Sequence, residues 1–228
     1  MNAALVSAGA LLAGYLIGSI PFAYIIVRLV MGEDITAHGT GNVGSMNVRR
    51  ATGSWGWFVV ALLADGFKGL IPVALLKAAT GMPVLVPYGV SLGSGTVLTA
   101  PAVPALMLGL ILGHNYSLWM ALVEKRFFRT GKGLATGAGA LLAYDWRYCI
   151  AVVVVALLVI AVTRYMMAGQ VAAAFALPVA SLALRSPDWP FLVLMGLLVY
   201  AAHHRRFVGL LRGKEPRLYI NDRMGPRG

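Results

Sequence analysis

Long apolar runs limit how this chain can fold more than any other feature of its sequence. Runs of about 20 or more apolar residues cover residues 3–31, 55–79 and 101–123. A helix needs roughly 20 apolar residues to cross the hydrocarbon core of a bilayer. Inside that core, helices satisfy their own backbone hydrogen bonds, which open sheets and loops cannot do. The sequence therefore predicts an all-α, polytopic helix bundle integral to a membrane.

Four further apolar runs divide the second half of the chain, at residues 134–144, 148–166, 168–184 and 190–203. Together with the first three they predict about seven transmembrane helices, some of them short. The composition agrees, since 59% of the residues are hydrophobic and 12% are charged, whereas soluble domains carry about 25% charged residues. Linkers and internal repeats are not evident, so we expect a single domain over residues 1–228.

The cations predict an orientation, because short cytoplasmic loops retain Lys and Arg. With the N-terminus outside, seven crossings place most of the 19 Lys and Arg residues on the cytoplasmic side, together with the C-terminus. Lys68 lies inside a span, and Lys77, Arg147 and Arg185 lie outside. The net charge of +11 is then mostly a cytoplasmic surplus, which favours anionic lipids and anionic substrates. No nucleic-acid partner is expected.

The first cytoplasmic segment, residues 38–50 with the sequence HGTGNVGSMNVRR, predicts an anion site. Glycines allow backbone N–H groups to point at one anion, and amide and guanidinium groups supply further donors. The residues that we expect to bind are Gly39, Gly41, Asn42, Gly44, Asn47 and Arg50. The three glycines match a dinucleotide fingerprint, but transmembrane helices flank them instead of the strands that this fingerprint requires.

The second segment, residues 129–136 with the sequence RTGKGLAT, predicts another phosphate contact. Gly133 stands where a P-loop requires Ser or Thr, so ATP hydrolysis is not supported. Lys132 between Gly131 and Gly133, at the start of an apolar helix, still aims an ammonium group and backbone N–H groups at one point. The alternative is a helix contact through the spacing Gly133-x-x-x-Gly137.

The third segment places His203 and His204 where the last apolar run ends, followed by Arg205 and Arg206. Side chains of neighbouring helical residues point about 100° apart, so two adjacent histidines do not readily hold one metal ion. No metal site is therefore predicted. One histidine could reach a substrate, or both could be ordinary residues of the membrane boundary.

Two more polar positions lie within the apolar runs. Asp65 and Lys68 are three residues apart on one helical face, and charges in hydrocarbon are costly unless they are paired. We expect this pair to brace the site structurally. His114 and Asn115, near the end of the third run, are either site residues or partners in a contact between helices.

These motifs, taken in chain order, resemble the acyl-phosphate-dependent membrane glycerol-3-phosphate acyltransferases of bacteria, often called the PlsY family. The segments that carry the resemblance are residues 19–22 (SIPF), 32–35 (GEDI), 39–50, Asp65 with Lys68 and Gly69, residues 113–116 (GHNY), residues 131–136 (GKGLAT), His204, and residues 213–216 (GKEP).

The resemblance implies a seven-helix enzyme of the bacterial cytoplasmic (inner) membrane, with its motifs on the cytoplasmic side. It implies transfer of a fatty acyl group from acyl phosphate to the 1-hydroxyl of glycerol 3-phosphate, giving lysophosphatidic acid for phospholipid synthesis. Membrane lipids surround such an enzyme, and no cofactor or protein partner is implied.

The resemblance also assigns residues. It implies catalytic positions at Ser19, Arg50, Lys132 and His204. It also implies a structural role for Glu215, the same kind of role that we expect for Asp65 and Lys68. The expected substrate-binding positions, from the loops and the matching motifs together, are Gly39, Gly41, Asn42, Gly44, Asn47, His114, Asn115, Gly131, Gly133 and Thr136.

The chain departs from the family pattern in two places. Ser117 replaces a usual proline, and the link from there to the Lys132 loop is longer than usual. In the third motif, the family has arginine, asparagine and arginine where this chain has His203, Phe207 and Leu210. The sequence thus leaves open an alternative, a non-catalytic or transport paralogue that binds organic or lipid phosphates.

Overall fold

The computed structural model describes residues 2–82 and 101–215, and all regular structure in these two ranges is helical. The predicted all-α class is confirmed. The expected cytoplasmic tail beyond residue 215 lies outside the described residues. The helices are α1 Ala3–Gly18, α2 Phe22–Met31, α3 Ser45–Thr52, α4 Trp55–Ala79, α5 Ala102–Asn115, α6 Leu118–Glu124, α7 Leu134–Tyr144, α8 Trp146–Thr163, α9 Met166–Ala183 and α10 Trp189–Leu211.

Six stretches of the described chain are long and apolar enough to cross a membrane. Two of them, Ala3–Met31 and Ala102–Glu124, each combine two consecutive helices. The seventh predicted segment is α7, which has 11 residues and extends only about 16 Å at the rise of an α-helix. The expected count of about seven transmembrane helices thus becomes six candidate spans and one short apolar helix.

The two combined spans are interrupted at positions that face each other. The first break follows Ser19, where Pro21 cannot donate a backbone hydrogen bond, and the second lies at Tyr116 and Ser117. Ser117 Oγ donates to the carbonyl oxygen of Ser19 at 2.5 Å, and Tyr15 donates its hydroxyl to the carbonyl oxygen of Tyr116 at 3.0 Å. Side chains therefore satisfy the backbone that each break leaves open.

Glycines let two pairs of helices approach at backbone distance. Gly14 and Gly18 of α1 lie against the backbone of α5, and Gly139 of α7 lies against the backbone carbonyl of Gly66 in α4. A Cβ atom at any of these glycines would overlap a neighbouring backbone oxygen. Small residues at such crossings are typical of membrane helix packing. The contact between α4 and α7 sets the position of the Lys132 loop, which enters α7 at Gly133.

The last helix is longer than the apolar run that predicted it. The run ends at residue 203, whereas α10 extends to Leu211. Arginine is a good helix former, so polarity ended the apolar run without ending the helix. Arg205 and Arg206 consequently lie on a helix whose turn orients their side chains.

We expect Gly139→Ala to destabilise the bundle, because its Cβ would overlap the carbonyl oxygen of Gly66. Overpacking of this kind costs about 1–3 kcal/mol. Gly9→Ala is the matched control, since nothing lies within 4 Å of a Cβ built there. Thermal unfolding of both variants in detergent measures the difference. An unchanged midpoint for Gly139→Ala would contradict the close contact of α4 with α7.

Candidate functional site

A cavity of about 150 Å³ lies where the three predicted polar segments meet. The loop before α3, the entrance of α7, the start of α9 and the end of α10 all contribute to its wall. Its polar side chains include Thr40, Asn42, Arg50, Lys132, Arg206 and Glu215. Residues from about 40 to 215 in the sequence thus surround one space.

The first segment is shaped by one side chain. Asn47 donates from Nδ2 to the carbonyl oxygens of Ile35 and His38, both at 3.0 Å, and its Oδ1 accepts from the Thr40 N–H at 3.2 Å. Gly39 and Gly41 have φ angles of 48° and 68°, which a side chain would strain. The amide of Asn47 thus holds the loop that carries Thr40 and Asn42, and Asn47 also lines the cavity, where its contact with substrate stays a prediction.

Thr130 joins the first two segments, and our reading of the sequence missed it. Its carbonyl oxygen accepts from the Val43 N–H at 2.7 Å, and its own N–H donates to the carbonyl oxygen of Asn115 at 2.8 Å. Its hydroxyl donates to the carbonyl oxygen of His114 at 2.9 Å and accepts from the Ser117 N–H at 3.2 Å. The feature of the sequence that could have indicated this role is the position of Thr130 directly before Gly131, Lys132 and Gly133.

The charged pair at Asp65 and Lys68 forms as expected. Asp65 Oδ1 lies 2.8 Å from Lys68 Nζ, and Nζ also donates to the carbonyl oxygen of Ile20 at 2.9 Å. Ile20 belongs to the break between α1 and α2, so the pair ties α4 to that break. Asp65 also lines the cavity, and its Oδ1 lies 3.7 Å from His114 Nδ1.

Four cations line the cavity, and one of them, Arg49, stacks its guanidinium on the Trp55 ring. The other three are Arg50, Lys132 and Arg206, and Arg206 donates from Nε to Glu215 Oε1 at 2.9 Å. Burial, followed by the nearby charges of Arg206 and Arg129, lowers the pKa of Lys132 to about 7. Burial and the charges of Arg206 and Arg49 likewise lower the pKa of Arg50. Cations that depress one another's pKa in a partly dry space favour an anion between them.

The remaining predicted positions divide into two groups. Gly44, His114 and Gly133 line the cavity with Asn42 and Asn47. Those that do not line it are Ser19, Gly39, Gly41, Asn115, Gly131, Thr136 and His204. Thr136 and Asn115 are buried next to it, and Gly131 packs so closely on His114 that a Cβ would overlap the imidazole.

Ser19 and His204 are the two proposed catalytic positions that the cavity does not include. Ser19 is fully buried and donates its hydroxyl to the carbonyl oxygen of Tyr15 at 2.7 Å. His204 is exposed beside Tyr200, whereas Arg206 points into the cavity. Residues two apart on a helix point about 200° apart, so α10 cannot turn both side chains toward the same space.

The cavity is also lined by residues to which the sequence assigned no site role. They include Thr40, Arg206, Gln170, Met166 and Met167. Thr40 stands between Gly39 and Gly41 of the first segment, and this position was the feature of the sequence that could have indicated its place in the site. The three residues of α9 carried no motif. Within the described residues, no group of three His, Cys, Asp or Glu side chains is arranged to hold a metal ion.

The fold and this cavity define an integral membrane protein with a cation-lined site for an anionic substrate. The family described as glycerol-3-phosphate acyltransferase has a model that matches residues 8–213. The chain belongs to this family.

Curated relatives with the same description match this chain along almost its whole length. A glycerol-3-phosphate acyltransferase of Thermus thermophilus is 37% identical and covers 91% of this chain and 93% of its own length. A glycerol-3-phosphate acyltransferase of Paramagnetospirillum magneticum is 34% identical and covers 92% of this chain and 92% of its own length. The solved structure of PlsY (YgiH), an integral membrane glycerol 3-phosphate acyltransferase in its glycerol 3-phosphate form, superposes with a TM-score of 0.76 at 25% identity. That likeness covers 93% of this chain and 96% of the solved one.

We expect the affinity for a divalent anion to fall as the pH rises through 7, since the lowered pKa of Lys132 removes its charge there. Sulfate is the suitable probe, because its own charge is constant in this range. Lys132→Arg should remove the decline, as a guanidinium remains charged. Stabilisation by sulfate, followed by thermal unfolding between pH 6 and pH 9, measures this. The same decline in both proteins would assign the titration to another group.

We expect Thr130→Val to loosen the junction of the first two segments. The variant keeps the size of the side chain but leaves the Ser117 N–H without its acceptor, a loss of about 1–3 kcal/mol for a buried group. Thr163→Val is the control, because the Thr163 hydroxyl also donates to a carbonyl oxygen, that of Val159, and accepts from an N–H, that of Tyr165, but both bonds are exposed. Hydrogen exchange of residues 113–134 should rise in the first variant alone, and equal exchange in both would argue against the role of Thr130.

Proposed function

We propose that this protein transfers a fatty acyl group from acyl phosphate to the 1-hydroxyl of glycerol 3-phosphate, giving lysophosphatidic acid. The observation that carries the proposal is the convergence of Arg50, Lys132 and Arg206 on one cavity that also has an apolar wall. The wall is formed by Leu134, Met166 and Met167. A site with cations on one part of its wall and apolar side chains on another suits two phosphate substrates, one of which carries a hydrocarbon chain.

The reaction requires mainly placement and positive charge. Acyl phosphate is already activated, and its leaving group is a phosphate dianion. Lys132, Arg50 and Arg206 hold the two phosphate groups, stabilise the oxyanion that develops on the acyl carbon, and stabilise the departing phosphate. A phosphate oxygen of the substrate takes the proton from the attacking 1-hydroxyl. Bound phosphate keeps the Lys132 ammonium group protonated.

The other predicted residues act behind these groups. We assign Ser19 and Thr136 to bracing, because both are fully buried, with the Thr136 hydroxyl 3.3 Å from His114 Nδ1. We assign Glu215 to orienting Arg206, to which it is paired. His204 does not line the cavity, so we place Arg206 in the role that the resemblance gave to the third motif.

A second, apolar cavity next to the main one suits part of an acyl chain. A smaller apolar cavity of about 30 Å³ shares Gly133 and Leu134 with the main one and continues between α7, α9 and α10. Its further walls include Leu141, Leu177 and Met195. We propose that the first part of the acyl chain lies along this cavity.

The proposal includes a location. We place the protein in the bacterial cytoplasmic membrane as one domain, with its N-terminus outside and the cavity on the cytoplasmic side, where the cations gather. Membrane lipids, acyl phosphate and glycerol 3-phosphate are the partners that this activity needs.

Purified protein in lipid nanodiscs, given synthetic palmitoyl phosphate and radiolabelled glycerol 3-phosphate, should form lysophosphatidic acid. Arg50→Ala, Lys132→Ala and Arg206→Ala should each lower kcat/KM at least a hundredfold, since one electrostatic group at a developing charge is worth about 3 kcal/mol. The control is Arg205→Ala, because Arg205 is exposed and does not line the cavity. Thermal unfolding checks that each variant is folded.

Two results would count against the proposal. One is the lack of lysophosphatidic acid with acyl phosphates of any chain length. The other is full activity of Lys132→Ala. Binding or transport of glycerol 3-phosphate without a product would favour the non-catalytic paralogue instead.

A further inference from the structure

Gln170 is a polar residue of α9 to which the proposed reaction gives no role. It is the fifth residue of this helix, and Ser181 is the only other polar side chain in it. Ser181 donates its hydroxyl to the carbonyl oxygen of Pro178 at 2.7 Å. Gln170 instead lines the main cavity, as do Met166 and Met167 of the same helix.

The amide of Gln170 has an unused acceptor. Its Oε1 is buried and has no hydrogen-bond partner among the residues that the structure describes. A buried polar atom without a partner costs free energy, and polar groups within membrane helices are costly as well. Because Gln170 lines the cavity, rotation of its terminal amide can present this oxygen to a ligand, which then supplies the missing partner.

An orphaned oxygen requires a ligand group that donates a hydrogen bond. Phosphate groups do not meet this need at neutral pH, because their oxygens accept hydrogen bonds, and Arg50, Lys132 and Arg206 are there to donate to them. Acyl phosphate has no other polar hydrogen. Glycerol 3-phosphate has two hydroxyl groups, so the acceptor substrate of the proposed function carries the complementary chemistry.

The two hydroxyl groups differ in what the reaction does to them. The 1-hydroxyl loses its proton when it attacks the acyl carbon, so that proton must be directed at a base. The 2-hydroxyl keeps its proton throughout and can donate to one acceptor in substrate and product alike. A neutral amide oxygen is a poor base but a good acceptor, which fits the 2-hydroxyl.

We propose that Gln170 Oε1 accepts a hydrogen bond from the 2-hydroxyl of glycerol 3-phosphate and selects this acceptor over phosphates that lack the group. This inference rests on the proposed function for the identity of the ligand. It adds a specificity residue that lies outside the three polar segments. Gln170 touches the part of the substrate that does not react, so it acts through binding.

The test compares two ligands that differ by one hydroxyl. Glycerol 3-phosphate and 3-hydroxypropyl phosphate share the phosphate and the 1-hydroxyl, and only the first has a 2-hydroxyl. Equilibrium binding of both ligands is measured for the wild-type protein, Gln170→Met and Gln170→Leu. Ser181→Ala is the matched control on the same helix, since Ser181 does not line the cavity.

The wild-type protein should bind glycerol 3-phosphate about tenfold more tightly than the analogue, which corresponds to one hydrogen bond of ordinary strength. Gln170→Met should lose this preference by weakening glycerol 3-phosphate about tenfold while leaving the analogue within twofold. Ser181→Ala should keep the preference. The unliganded Gln170→Met protein should melt no lower than wild type, because the substitution removes an unsatisfied acceptor. Gln170→Leu repeats the comparison should the methionine variant not fold.

Three results would overturn the inference: equal binding of the two ligands by wild type, equal weakening of both by the Gln170 variants, or no effect of those variants. The acyl-transfer assay is read separately. Selective binding without lysophosphatidic acid would defeat the proposed function and leave the role of Gln170 standing, whereas product formation without selectivity would do the reverse.

Discussion

The rest of this structure depends on how the backbone is satisfied where two membrane helices are interrupted. Carbonyl and N–H groups freed within a membrane must find partners in the protein. Ser117 serves the carbonyl oxygen of Ser19, and Lys68 serves that of Ile20. Lys68 in turn needs Asp65, because an unpaired ammonium group is costly there. The need to satisfy these freed backbone groups thus holds α1, α4 and α5 against each other next to the site.

The cavity is built on this base. Asp65 and His114 line it, and Thr130 binds the loop of Lys132 to the loop of Val43. Asn47 closes the first loop upon itself. Most hydrogen bonds of the predicted motifs therefore hold the loops in place, which leaves a smaller set of side chains free to meet a substrate. Placement of this kind lets cations act on a developing charge without further rearrangement.

Several features followed from the sequence because they depend on composition and local spacing. The apolar runs predicted the all-α bundle, and the three-residue spacing predicted the Asp65 and Lys68 pair. The glycines around residues 39–44 and 131–133 predicted anion-binding loops, and Gly44 and Gly133 of these loops line one cavity. The boundaries were less accurate: α10 continues past residue 203, and α7 is too short to count as an ordinary span. Hydropathy reports where polarity changes, and helices can continue through that point.

What the sequence determined by itself is a membrane bundle with a surplus of cations and phosphate-type loops, because these properties are sums over neighbouring residues. Only the tertiary structure decided which side chains enter the cavity. It selected Arg206 instead of His204, Thr40 instead of Ser19, and Gln170 from a helix without a motif. The reason is geometric: each residue turns a helix by about 100°, and the facing surface comes from segments far apart in the sequence, such as those that carry Arg50, Lys132 and Arg206. No pattern within one segment contains that information.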